Sequence, residues 1–209
     1  MRNTFLRLLT IITLSAFGHA SYAADSFQGT IWSLSYSGSA LADADPLHET
    51  YRVTLAVDTS GYTGGGSFID QVAVKVSSSL FGASLVSGPG GASNWSISGG
   101  GIGAYGCTGN GSGFECADGL ILAGNTPVPG GTYSWVFDLT MDNGLLFTGL
   151  LESSVKGRFV DANGRKVGAL VSENVTLTSP IPEPEIYAMM GLGLGLMGWI
   201  GRRRKTASV

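Results

Sequence analysis

The residues best suited to chemistry surround His48, in the segment Asp43-Ala44-Asp45-Pro46-Leu47-His48-Glu49. The only other histidine, His19, lies in a segment that we expect to be removed, so any histidine-dependent catalysis would have to use His48. Carboxylates near an imidazole also suit a metal ion, and the candidate ligands are Asp43, Asp45, His48 and Glu49. Their spacing matches no metal motif, and the composition is typical of a solvated loop between two strands. We therefore predict no catalytic residue, no metal site and no cofactor.

Other carboxylates also fall in turn-like segments. Asp161-Ala162-Asn163-Gly164 begins like a calcium loop, but its glycine is at the fourth position and no glutamate follows at the twelfth. Asp58-Thr59-Ser60-Gly61 has the composition of a turn. No pair of acidic residues is singled out for glycoside hydrolysis.

The N-terminal segment has the layout of a secretory signal peptide. Arg2 and Arg7 come first, an apolar run follows, and the small-residue site Ser21-Tyr22-Ala23 ends the segment. The apolar run of about ten residues is too short to span a membrane. We predict a signal peptide over residues 1–23, with cleavage between Ala23 and Ala24.

The composition of residues 24–179, between the two terminal segments, indicates a folded acidic domain. Residues 24–179 contain six basic and thirteen acidic residues, a net charge of −7 that disfavours nucleic acid and anionic lipid as partners. Their length suits one domain. The whole chain has 33 glycines and 13% charged residues, and its many apolar residues exclude disorder.

Apolar residues in this region recur with a period of two. The alternating sets are Trp32, Leu34 and Tyr36; Tyr51, Val53, Leu55 and Val57; Val72, Val74 and Val76; and Tyr133, Trp135, Phe137 and Leu139. Two further apolar stretches flank Asn163-Gly164, a hairpin signal. We predict an all-β domain over residues 24–179, an antiparallel β-sandwich of jelly-roll type, with a barrel as the alternative.

Cys107 and Cys116 lie in a glycine-rich region between residues 88 and 131. An exported chain meets oxidising conditions, so we predict a disulfide that closes a loop of ten residues. Such a loop would stabilise the fold by somewhat less than ~3 kcal/mol. A metal or redox pair is disfavoured, because the C-x-x-C spacing and a third ligand are missing.

The C-terminal segment has three consecutive parts. Pro182-Glu183-Pro184 is followed by the uncharged run Ile186–Ile200 and then by Arg202, Arg203, Arg204 and Lys205. As a helix the run would cover roughly 22 Å of a hydrocarbon core of about 30 Å, and basic side chains can extend that reach. We predict a linker over 180–185, a transmembrane helix over 186–201 and a cytoplasmic basic tail over 202–209.

Pro-Glu-Pro, a short apolar span and an arginine-rich cluster together resemble the PEP-CTERM sorting signal of Gram-negative bacteria. The resemblance implies recognition by exosortase, a membrane-embedded transpeptidase-like enzyme, with processing near Pro182, Glu183 and Pro184. It also implies exopolysaccharide production and a final location on the cell surface or outside the cell. The predicted signal peptide and membrane helix together predict a precursor anchored in the inner membrane, with its domain facing the periplasm.

Two functions remain open for the domain. The first is a non-enzymatic surface or matrix protein, structural or carbohydrate-binding, associated with exopolysaccharide and biofilm. The second is a secreted glycan-acting hydrolase that uses carboxylates or His48. We prefer the first. A His48 that shares a cleft with carboxylates and aromatic residues would favour the enzyme, whereas an isolated His48 on a loop would favour the binding protein.

Overall fold

The structure is a computed structural model. It describes residues 25–179 apart from 43–44, 104–105, 110, 112, 121–125, 148–152 and 169–170, and also describes Leu192 and Leu194. The strands lie within one compact unit, residues 22–180. In chain order they are β1 (Asp25–Phe27), β2 (Thr30–Tyr36), β3 (His48–Asp58), β4 (Phe68–Lys75), β5 (Gly82–Ser87), β6 (Trp95–Gly99), β7 (Gly101–Gly103), β8 (Gly106–Gly109), β9 (Phe114–Gly119), β10 (Thr132–Asp142), β11 (Ser154–Val160), β12 (Val171–Asn174) and β13 (Leu177–Thr178).

The strands form two large sheets and one small one. Sheet A has the order β1–β2–β3–β10–β5, and β13 also pairs with β2. Sheet B has the order β12–β11–β4–β9–β6, and β7 and β8 form a separate pair. The pairs are antiparallel except for β13 with β2, which is parallel. The prediction of an all-β domain is confirmed. The prediction that all strand pairs are antiparallel is wrong for the β13–β2 pair. The jelly-roll connectivity stays a prediction.

Both large sheets contribute to one hydrophobic core, which makes the domain a sandwich. The buried residues of β2, β3 and β10 follow the predicted alternation: Trp32, Leu34, Val53, Leu55, Val57, Trp135, Phe137 and Leu139. Gly157 of sheet B faces Trp32, and a Cβ at position 157 would lie only 2.3 Å from the Trp32 ring. A glycine at 157 therefore allows the two sheets to approach each other.

The predicted hairpin after β11 is confirmed, but the arm expected over residues 166–171 is reduced to a bridge between Val160 and Lys166, and β12 begins only at Val171. A turn connects β11 to β12, with Val155 opposite Glu173 and Gly157 opposite Val171. Asp161 Oδ1 accepts hydrogen bonds from the N–H groups of Asn163 at 2.8 Å and Arg165 at 2.9 Å. Gly164 has a φ of 75°, which suits glycine. The Asp161 segment is thus a turn, as expected from its glycine spacing.

The glycine-rich region is more regular than its sequence suggests. It contains β6, β7, β8 and β9, and the β7–β8 pair packs over the outer side of sheet B. Ala73, which alternates with the apolar set Val72, Val74 and Val76, is fully buried against Ile102, Cys107 and Cys116. Strand β4 is therefore covered on both sides, and the period-two pattern does not reveal this.

The predicted elements at the chain ends lie outside the described residues, except for Leu192 and Leu194, which are helical and exposed. These elements are the signal peptide, the linker, the membrane helix and the basic tail. Among the residues that the structure describes, no helix combines the length and the apolar character that crossing a membrane requires.

Candidate functional site

The candidate site lies at one end of the sandwich, where β3 begins and β10 ends. His48 is the first residue of β3, not part of the preceding loop as predicted, and it stands opposite Asp142 of β10. On the other side of β10, the N–H of Phe81 donates to the carbonyl of Thr140 at 2.8 Å. We call the resulting group the His48 cluster: Asp45, Leu47, His48, Phe81, Asp142 and Asn143.

Two carboxylates flank the imidazole of His48. Its Nδ1 lies 2.6 Å from Asp45 Oδ2, and its Nε2 lies 3.4 Å from Asp142 Oδ1. The His48 side chain is 15% exposed, compared with 46% for Asp45 and 63% for Asp142. The ring is thus held in a fixed orientation while both carboxylates remain accessible to solvent.

Asp45 is further stabilised as a carboxylate. Its Oδ1 accepts the N–H of Leu47 at 2.9 Å. That backbone hydrogen bond, followed by the one with His48, holds the pKa of Asp45 below its ordinary value. Asp45 is therefore negatively charged near neutral pH.

An exposed aromatic ring covers one face of the imidazole. The centroids of Phe81 and His48 are 4.0 Å apart and their planes differ by 26°. Phe81 is nevertheless 72% exposed, and Leu47 is 71% exposed. The cluster thus combines a supported aromatic ring with acidic hydrogen-bond acceptors.

Asn143 fixes the segment that carries Asp45 and Leu47. Its side-chain Nδ2 donates to the carbonyl of Pro46 at 3.1 Å, and its N–H donates to the carbonyl of Leu47 at 3.4 Å. The segment before β3 is thereby tied to the end of β10.

Of the four candidate metal ligands, Asp45 and His48 contact each other, but Glu49 has a different partner. Glu49 accepts a hydrogen bond from the Tyr51 hydroxyl at 2.9 Å, and Asp43 lies outside the described residues. Within the described parts of the chain, no group of three or more histidine, cysteine, aspartate or glutamate side chains is placed to hold a metal ion.

A second polar group lies on the outer side of sheet B. Strand register aligns Arg158, Gln71, Asp118 and Ser96 in one row across four strands. Arg158 Nε lies 3.0 and 3.1 Å from the two oxygens of Asp70, and its Nη2 also donates to Asp70. Burial raises the pKa of Asp70, although Arg158 opposes the shift. The side chain of Gln71 is buried, and its Oε1 has no hydrogen-bond partner in the described structure.

The predicted disulfide is confirmed. Cys107 of β8 is bonded to Cys116 of β9, so the bond ties the small β7–β8 pair to sheet B. The cysteines therefore have a structural role, holding a strand pair that is rich in glycine.

Sequence comparison identifies the sorting signal. The family model of the PEP-CTERM protein-sorting motif matches residues 180–205, which include Pro182, Glu183, Pro184 and the cluster from Arg202 to Lys205. No curated protein matches the chain. The sorting residues lie outside the described structure, so this identification depends on sequence alone.

The chain is thus a β-sandwich protein with a C-terminal sorting signal. That signal is a PEP-CTERM motif, as the resemblance indicated, and it marks an exported protein that is sorted by exosortase from a membrane-anchored precursor.

Proposed function

We propose that the chain is an exported surface or extracellular-matrix protein with a non-enzymatic role, structural or carbohydrate-binding, in association with exopolysaccharide and biofilm. The observation that carries this proposal is the PEP-CTERM motif at residues 180–205. The acidic charge of the domain, −7, agrees with a soluble exported product and disfavours nucleic acid. In the described structure His48 contacts two carboxylates and a phenylalanine ring, so these partners are not the serine or cysteine nucleophile of a catalytic triad.

Sorting is tested by separating its two parts. Glu183→Ala should leave the precursor inserted but unprocessed, because the extended Pro-Glu-Pro segment is the part that exosortase would recognise. Neutral replacements of Arg202, Arg203, Arg204 and Lys205 should instead cause mis-insertion or loss from the membrane, because they remove the positive anchor. Fractionation distinguishes the variants. Normal processing of the Glu183 variant, or the same full-length membrane band for both, would contradict this division of roles.

A second candidate, a glycan-acting hydrolase, is favoured by one observation. His48 lies with two carboxylates and an aromatic ring, the residue types that we associated with an enzyme. A histidine oriented by a carboxylate is a suitable general base. We prefer the binding role because the group lies on an exposed end of the sandwich, with Asp142 at 63% and Phe81 at 72% exposure. Glycan cleavage by the purified chain that is abolished by His48→Ala would favour the enzyme.

A further inference from the structure

We propose that the His48 cluster is a carbohydrate-binding site in which Phe81 stacks on a sugar ring and the carboxylates of Asp45 and Asp142 accept hydrogen bonds from the sugar. This inference rests on the proposed function, which leaves carbohydrate binding open, and it specifies the site and the chemistry of the ligand.

Phe81 supplies the apolar surface. It is a large aromatic side chain that is 72% exposed, and it directly precedes β5, which pairs with β10. One face of its ring is stacked on His48, and its backbone N–H is bound to Thr140. A ring fixed before binding loses little conformational entropy when a ligand covers it. The C–H face of a pyranose is a flat apolar surface of suitable size for such a ring.

The polar groups beside Phe81 select a ligand that donates hydrogen bonds. Ionised carboxylates only accept, and each has about four lone-pair positions. Asp45 accepts a hydrogen bond from Leu47 and lies 2.6 Å from His48, whereas Asp142 is 63% exposed and lies 3.4 Å from His48. Sugar hydroxyl or amino groups would donate to the solvent-exposed oxygens, those of Asp142 above all. An apolar ring next to a few placed polar groups is the usual composition of a small-molecule site.

The negative charge of the His48 cluster and of the domain restricts which sugars can bind. Two exposed carboxylates in the cluster, on a domain of net charge −7, repel acidic sugars. The predicted ligand is therefore a neutral or amino-bearing saccharide. His48 is a positioning residue in this site, because its side chain is only 15% exposed and supports Phe81 from behind.

Calorimetry on the full-length chain in detergent tests the site with three saccharides: a neutral cello-oligosaccharide, a chitosan oligosaccharide and an oligogalacturonate. We expect the neutral or the amino saccharide to bind and the acidic one not to bind. Phe81→Ala should weaken binding about tenfold, which corresponds to about 1.4 kcal/mol, because it removes the ring on which the sugar stacks. Phe81→Tyr, which keeps the ring, should bind like the unmodified chain.

The matched control is Leu120→Ala, since Leu120 is also an exposed apolar residue, at 52%, but lies after β9 and outside the cluster. It should leave the affinity unchanged. The proposal is overturned if none of the saccharides binds, if only the galacturonate binds, or if Phe81→Ala and Leu120→Ala bind alike. The experiment uses unprocessed chain, so a failure of sorting would not affect its result.

Discussion

The outer sides of the two sheets differ in what covers them. The outward side chains of sheet A are half-buried or exposed, with Arg52, Ser134 and Val86 among the exposed ones, and we call this side the open face. On sheet B the glycine-rich β7–β8 pair packs over Ala73 and Cys116, and we call this side the covered face. The open face follows the simple rule of alternating buried and exposed residues. The covered face gains a second small core, held by one disulfide.

Each face carries an arginine–aspartate pair between neighbouring strands. The exposed fractions of these side chains allow the two faces to be compared by number. On the open face, Arg52 donates to both oxygens of Asp138 at 2.8 Å, and the two side chains are 46% and 21% exposed. On the covered face, Arg158 pairs with Asp70, and the exposures are 16% and 17%. The two ion pairs thus have the same residue types, but the pair on the covered face is less exposed to solvent.

The largest effect is expected from breaking the pair on the covered face. Arg158→Ala should reduce the free energy of unfolding by about 3 kcal/mol, because it leaves Asp70 as a poorly solvated charge without its partner. Arg52→Ala, the matched control, should cost much less, since Asp138 can be solvated. Urea unfolding of both variants measures the difference. An equal loss of unfolding free energy in both variants would mean that the ion pair on the covered face is solvated as well as the one on the open face.

The disulfide is expected to rank second. Replacing Cys107 and Cys116 together with alanine should cost somewhat less than ~3 kcal/mol, because the ten-residue loop regains freedom in the unfolded chain. Hydrogen exchange should accelerate in β7 and β8, whereas β3 and β10 of the open face should keep their protection. Unchanged exchange in β7 and β8 would show that packing on Ala73 holds the strand pair without the bond.

Strands were predictable from the sequence where one face is buried in the core and the other face is open to solvent. Strands β2, β3 and β10 alternate cleanly, so Trp32, Leu55 and Trp135 were predicted as core residues. Burial of Ala73 was not predictable, because it depends on a glycine-rich segment folding back over the sheet. Strand β5, with sequence Gly-Ala-Ser-Leu-Val-Ser, lacks a strong pattern and was missed.

The candidate site was only partly predictable. His48, Asp45 and the disulfide were identified from composition and spacing, but Phe81 was not. The contact of Phe81 with His48 arises because β3 and β5 both pair with β10, which brings together residues 33 positions apart. No local sequence signal carries that information. By contrast, the sorting motif is contiguous and was recognisable from sequence alone.

The smallest effect concerns two aspartates that begin turns, Asp58 at the end of β3 and Asp161 directly after β11. Backbone N–H groups lower the pKa of both: Ser60 acts on Asp58, and chiefly Arg165, with Asn163, acts on Asp161. Each stabilises the fold fully above the ordinary pKa of about 3.9, and that contribution is lost as pH falls through the lower folded-state pKa. The free energy of unfolding should depend less steeply on pH in the acid range in Asp161→Asn. The same change should be smaller in Asp58→Asn, which loses fewer hydrogen bonds to the carboxylate. A steeper acid transition in either variant would contradict the sign.

Mass spectrometry of both termini of the protein recovered from outside the cell tests the central claim, that this chain is exported and sorted through its two ends. We predict an N-terminus at Ala24 and a C-terminus that lacks the segment from Arg202 to Lys205, because processing occurs near Pro182, Glu183 and Pro184. Extracellular protein that begins at Met1 and ends at Val209 would contradict the account.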